Sequence, residues 1–113
     1  MTSISKLRKS AFIQQNGQCC YCGFRMWLDS AESFAKHHGI TAKQARHFQC
    51  TAEHLQARQE GGKDVVGNIA AACMRCNQLR HKRAKPMAPE QYQQHVEKRV
   101  SKGGWHNARP AMH

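Results

Sequence analysis

Residues 50–85 read CTAEHLQARQEGGKDVVGNIAAACMRCNQLRHKRAK. Two short strands and a helix can be read from it in order. Residues 50–56 alternate loosely between apolar and polar, which predicts a short strand. Gln59-Glu60-Gly61-Gly62-Lys63-Asp64 is turn chemistry, and Asn68 to Ala72 predicts a second short strand. Met74 to about Lys85 is compatible with a helix that Pro86 ends, because proline cannot continue one. Asn77 and His81 are four apart and share one helix face. Glu53 and His54 close the first strand. A helix laid across two short antiparallel strands brings these polar residues together. Oxygen and nitrogen ligands beside a free imidazole suit one divalent ion plus a general base.

The cysteines lie within this unit and reach well before it. The chain has six, at 19, 20, 22, 50, 73 and 76. Cys19-x-x-Cys22 and Cys73-x-x-Cys76 form two knuckles about fifty residues apart. A two-residue gap lets both thiolates of a tight turn face one ion at about 2.3 Å, so two knuckles make a closed tetrahedral zinc site. Cys20 is an alternative to Cys19 as the first ligand, with a less usual one-residue gap to Cys22. Cys20 and Cys50 otherwise read as ordinary thiols. No apolar leader precedes the first knuckle, which argues against a secreted disulfide framework and for a cytoplasmic protein.

Around this core the chain reads as helices. Residues 5–16 carry Ile4, Leu7, Ala11 and Phe12 at helical spacing after a serine cap, Ser3 or Ser5, and Asn16-Gly17 ends them. Residues 29–48 read as two short helices, with Asp29/Glu32 and Thr41/Gln44 as capping boxes and Gly39 as the stop between them. The pair is either an inserted helical hairpin, the reading preferred, or a helix-turn-helix presenting Lys43, Gln44, Arg46 and His47 to DNA. A last helix, roughly residues 89–101, starts on Pro89 and docks through Tyr92, Val96 and Val100. Residues 105–113 read as a loose basic tail. The expected class is α+β in one domain: an N-terminal helix (1–18), a first knuckle (19–28), a helical insert (29–48), the two-strand-and-helix unit (50–85), and a C-terminal helix with its tail (86–113).

Composition limits the function. Of 113 residues 40% are apolar and 22% charged, which is globular and not disordered. Lysine and arginine number 18 against 7 acids, a net charge of +11. A thiolate-bound zinc lowers this only to about +9, so the excess still favours a polyanion. No apolar run is long enough to span a membrane. Between Asp64 and Glu90 there is no acid, while Arg75, Arg80, Lys82, Arg83 and Lys85 are all present. These lie on or just after the helix of the proposed ligands and are candidate phosphate contacts, with Arg58 and Lys63 on the loop as weaker ones. His37, His38, His47, His95, His106 and His113 have no ligand-like spacing and are expected at surface or half-buried positions.

With CCYC at 19–22, TAEH at 51–54, EGG at 60–62, GNIAAAC at 67–73 and CMRCN at 73–77, the chain resembles the HNH endonucleases, the zinc-knuckle branch of the ββα-metal nucleases. The resemblance covers about residues 17–83, interrupted by the helical insert, and the pieces are specific jointly rather than singly. It implies that His54 is the general base, Glu53 a metal ligand where the family usually has Asp or His, and Asn68 the residue that ties the loop and orients the base. It implies that Asn77 and His81 are the helix-borne ligands of one catalytic divalent ion. Magnesium or manganese is the first expectation, with nickel and zinc open. Asn is a weaker ligand than His, which moves weight from Asn77 to His81. DNA is the implied substrate, RNA is not excluded, and the products carry 5′-phosphate and 3′-hydroxyl ends. The rival readings are a zinc-stapled nucleic-acid binder without catalysis and a thiol redox protein using Cys19 and Cys22.

Overall fold

In a computed structural model, which describes residues 3–108, two five-residue strands form an antiparallel pair: β1 (Cys50–His54) and β2 (Ile69–Cys73). The register sets Cys50 opposite Cys73 and His54 opposite Ile69, so Glu53 and His54 lie at the loop end of the hairpin. A long loop joins the strands. Within it Gly61 adopts φ 90°, and a Cβ at Gly62 would overlap the Gln56 carbonyl, so the Gly-Gly pair is a steric requirement. Helix α4 (Met74–His81) follows β2 directly, its first turn capped by the Cys73 sulfur accepting from the Cys76 amide at 3.4 Å.

The flanking helices pack this unit. In chain order they are α1 (Ile4–Gln14), α2 (Ala31–His38), α3 (Ala42–Ala45) and, after α4, α5 (Pro89–Ser101). Ser3 caps α1, accepting from the Lys6 amide, and Leu7 and Ala11 are its buried residues. The expected ending holds: Asn16 and Gly17 both take positive φ. Thr41 and Gln44 form a reciprocal capping box, and Gly39 at φ 70° ends α2. Ser30 rather than Asp29 caps α2, accepting from the Ser33 amide. The insert packs Phe34, Ala35, Ala45 and Phe48 into a second apolar cluster shared with Ala108, Phe24 and Trp27.

The structure corrects two expected boundaries. Helix α4 stops at His81, not near Lys85, because residues 82–85 are exposed and offer no apolar face to bury. The segment after α5 is no loose tail over its described part: Trp105, His106 and Ala108 are buried, Trp105 with the main core of Tyr21, Met26, Tyr92 and Val96. Residues 109–113 of the expected tail lie outside the described residues. Two histidines expected at surface or half-buried positions, His38 and His106, are also buried. Among the described residues no helix is long and apolar enough to cross a membrane.

Candidate functional site

The knuckles meet. The sulfurs of Cys19, Cys22, Cys73 and Cys76 all lie within 4.8 Å of one another, and Cys22 Sγ is 3.8 Å from Cys73 Sγ. Sulfurs each about 2.3 Å from a tetrahedral ion stand about 3.8 Å apart, so the set fits one metal ion. Cys20 is outside the group, which resolves the choice between it and Cys19. Its thiol is pushed up, first by the hydrogen bond to Cys19 and then by burial. Burial pushes the Cys50 thiol up to about 11, so Cys50 is an inert core thiol.

Donors surround the sulfurs. Cys19 Sγ accepts from the amides of Tyr21 at 3.4 Å and Cys73 at 3.3 Å. The indole of Trp105 donates to Cys76 Sγ at 3.3 Å. His106 Nε2 lies 3.5 Å from Cys22 Sγ and 3.8 Å from Cys73 Sγ. Burial, then the Arg75 charge, lowers the His106 pKa to about 4, which keeps the ring neutral. Sequence reasoning missed both residues because neither has a knuckle-like spacing; only the return of the chain after α5 brings them in.

Across the hairpin, His54, Asn77 and His81 border one open cleft of about 540 Å³ with Ile4, Ala52, Ala57, Arg58 and Gln59. Glu53 lies behind this wall and is fully buried. Its Oε1 contacts His81 Nε2 at 2.6 Å. Its Oε2 accepts from the Tyr21 hydroxyl at 3.0 Å and from Arg80 at 3.2 Å. Burial first, then the Glu53 charge, holds the Tyr21 phenol well above its ordinary value, so it stays a donor.

His54 Nε2 is 2.7 Å from Asp64 Oδ1 and 3.1 Å from Arg58 Nε, and Arg58 also grips Asp64. Nε2 serves one partner at a time, and the shorter contact to the carboxylate makes it the donor. The hydrogen bond with His54, ahead of the Arg58 charge, holds the Asp64 carboxyl below its usual range. Asp64 reads as a turn residue in the sequence; its pairing with His54 needs the closed loop. Asn68 does tie that loop. Its Oδ1 accepts from the Gln56 amide at 2.7 Å, and its Nδ2 donates to the carbonyls of Gln56 and Lys63.

Three expected roles change. Arg80 is no phosphate contact: it is 4% exposed and spends its guanidinium on Glu53 and the carbonyls of His54, Leu55 and Met87. Arg75 is half-buried, donating to the Trp105 carbonyl and lying over its ring. Asn77 spends its amide nitrogen on Thr51 Oγ1 and the Ala52 carbonyl, which leaves only Oδ1 to act on a ligand. Arg58, Lys63, Lys82, Arg83 and Lys85 are exposed as expected.

A family model described as HNH endonuclease matches residues 41–83, from α3 through the end of α4, and bears out the family resemblance. A nuclease-type or nucleic-acid-related function goes with that family. No curated protein and no solved structure matches the chain.

Proposed function

We propose that this chain, an HNH-family protein over residues 41–83, is a metal-dependent endonuclease that hydrolyses DNA phosphodiester bonds. The observation that carries the reading is one cleft bordered by His54 and His81, with Glu53 Oε1 directly behind His81 at 2.6 Å. Structural zinc belongs to the thiolate centre, whose four ligands leave no open position for chemistry.

The donors available to a catalytic ion are Glu53 Oε1, His81 Nε2 and Asn77 Oδ1. So small a set of mainly oxygen donors fits magnesium or manganese, which keep much of their water, while the imidazole also suits nickel or zinc. Bound there, such an ion stabilises charge on the phosphate and on the leaving 3′-oxygen. His54 does the proton work. With Nε2 donating to Asp64, the lone pair is on Nδ1, which takes a proton from the attacking water. Asp64 holds the ring in that tautomer and balances the imidazolium that forms. Asn68 keeps the loop closed, and so keeps Asp64 in reach of His54. Lys63, Lys82, Arg83 and Lys85 draw the phosphate backbone to the cleft by charge alone, which carries no sequence preference.

The test is incubation with supercoiled plasmid in magnesium or manganese, beside His54→Ala and a chelator control. Nicking or linearisation by the wild type, lost in both controls, is the expected result. Cleavage by His54→Ala at the wild-type rate would overturn the assignment of the base. Salt-sensitive binding without cleavage under any divalent ion would favour the non-catalytic binding module.

A further inference from the structure

We infer that the thiolate knuckles set the affinity of the catalytic ion through Tyr21 and Arg80, which together grip one oxygen of Glu53 and leave the other to the metal. The inference rests on reading Glu53 and His81 as ion ligands. Tyr21 sits inside the first knuckle, between Cys20 and Cys22, and its amide donates to Cys19 Sγ. Arg80 is one helical turn beyond Cys76 of the second knuckle. Both side chains end on Glu53 Oε2, at 3.0 and 3.2 Å. One donor thus stands within the first knuckle and the other just beyond the second, and both reach the same oxygen.

The consequence follows from the freedom of a carboxylate. An unrestrained glutamate rotates about its last bond and offers an ion either oxygen, or both. Two donors fixed on Oε2 remove that freedom. Arg80 is itself held by the carbonyls of His54, Leu55 and Met87. Oε1 is therefore held toward His81, whose Nε2 is 2.6 Å away. A ligand oriented in this way binds tighter than a free one, and groups that orient ligands typically contribute about 10–100-fold to metal affinity. The Tyr21 ring has a separate packing task, edge-on against Tyr92 at 4.8 Å, which needs no hydroxyl. Tyr92 supplies a matched control: it is equally buried in the same core, but its hydroxyl donates to the Cys76 carbonyl.

The experiment titrates manganese into zinc-loaded protein without DNA and follows the free ion by electron paramagnetic resonance. Wild type, Tyr21→Phe, Tyr92→Phe and His81→Ala are compared, with zinc content measured for each. Tyr21→Phe should keep its zinc and bind manganese about tenfold more weakly. Tyr92→Phe should bind as the wild type does, and His81→Ala should lose most of the affinity. In cleavage, Tyr21→Phe should recover its rate at saturating manganese, since only occupancy is lost. Wild-type affinity in Tyr21→Phe, with His81→Ala impaired, would overturn the inference and leave the ligand reading standing. Equal weakening in both tyrosine variants would overturn it in favour of packing. Wild-type affinity in His81→Ala, or no saturable manganese in the wild type, would overturn the ligand reading and the inference with it.

Discussion

Arg80 and Arg83 are three positions apart in one basic run, and the fold gives them opposite tasks. Arg80 is the cation of a fully buried carboxylate. Removing it strands Glu53 away from water, and breaking a buried pair on one side costs about 3–5 kcal/mol. Arg80→Met should therefore lower unfolding stability by that amount in urea, and a loss under about 1 kcal/mol would contradict the pairing. Arg83 and its neighbour Lys82 are exposed and carry no such debt. Replacing both with alanine should leave stability within about 0.5 kcal/mol. It should weaken DNA binding whatever the sequence, and flatten the dependence of log K on log salt by about 2, since each phosphate contact contributes about 0.9. An unchanged slope would remove Lys82 and Arg83 from the interface. The sequence could not separate these arginines, because charge and spacing are the same for a buried ion pair and a solvated face.

The segment after α5 shows the same limit for a whole element. Trp105 is 5% exposed, donates to Cys76 Sγ at 3.3 Å and accepts Arg75 at its carbonyl. Trp105→Ala should cost about 3–5 kcal/mol, as large-to-alanine changes in cores do. It should also speed zinc transfer to a chromogenic chelator, because it uncovers the sulfur; wild-type release would show that the indole only packs. Nothing in residues 105–108 signals burial, since the signal is a contact made about thirty residues away. Elements specified locally were legible. The strands, the Thr41–Gln44 box, the Gly39 stop and the Pro89 start rest on alternation, capping and backbone geometry within a few residues. The site was legible where it follows from those elements: Glu53 ends up beside His81 because one is next to last in β1 and the other closes α4. Asp64 was not, because its pairing with His54 depends on how the loop closes. Nor was the early end of α4, since residues to Lys85 satisfy helix propensity but have nothing to pack against.

At the scale of the molecule, the thiolate centre joins what the sequence separates. A metal ion held there would tie residues 19–22 to residues 73–76, closing a loop that holds the insert and the whole hairpin. A chain of this length buries only about two-thirds of its unfolded surface, which makes its core marginal without a staple. Structural zinc in small domains has apparent binding free energies of about 10–16 kcal/mol, comparable with or above the whole stability of a typical domain. Zinc removal should therefore unfold the chain rather than loosen it. A strong chelator should abolish the thermal transition seen by circular dichroism, and Cys73→Ser should do so without chelator. Acid should act in the same direction, because each ligand binds as a thiolate and protons compete with the ion for it. Stability should be present at neutral pH and fall together with zinc content as pH drops. Melting within a few degrees of the loaded protein, with zinc shown to be gone, would mean that packing of Tyr21, Tyr92, Val96 and Trp105 alone holds the fold. Tyr21 and Arg80 run from the same knuckles to Glu53, so a chain that has lost its zinc should lose saturable manganese binding in the same transition, not in a later one.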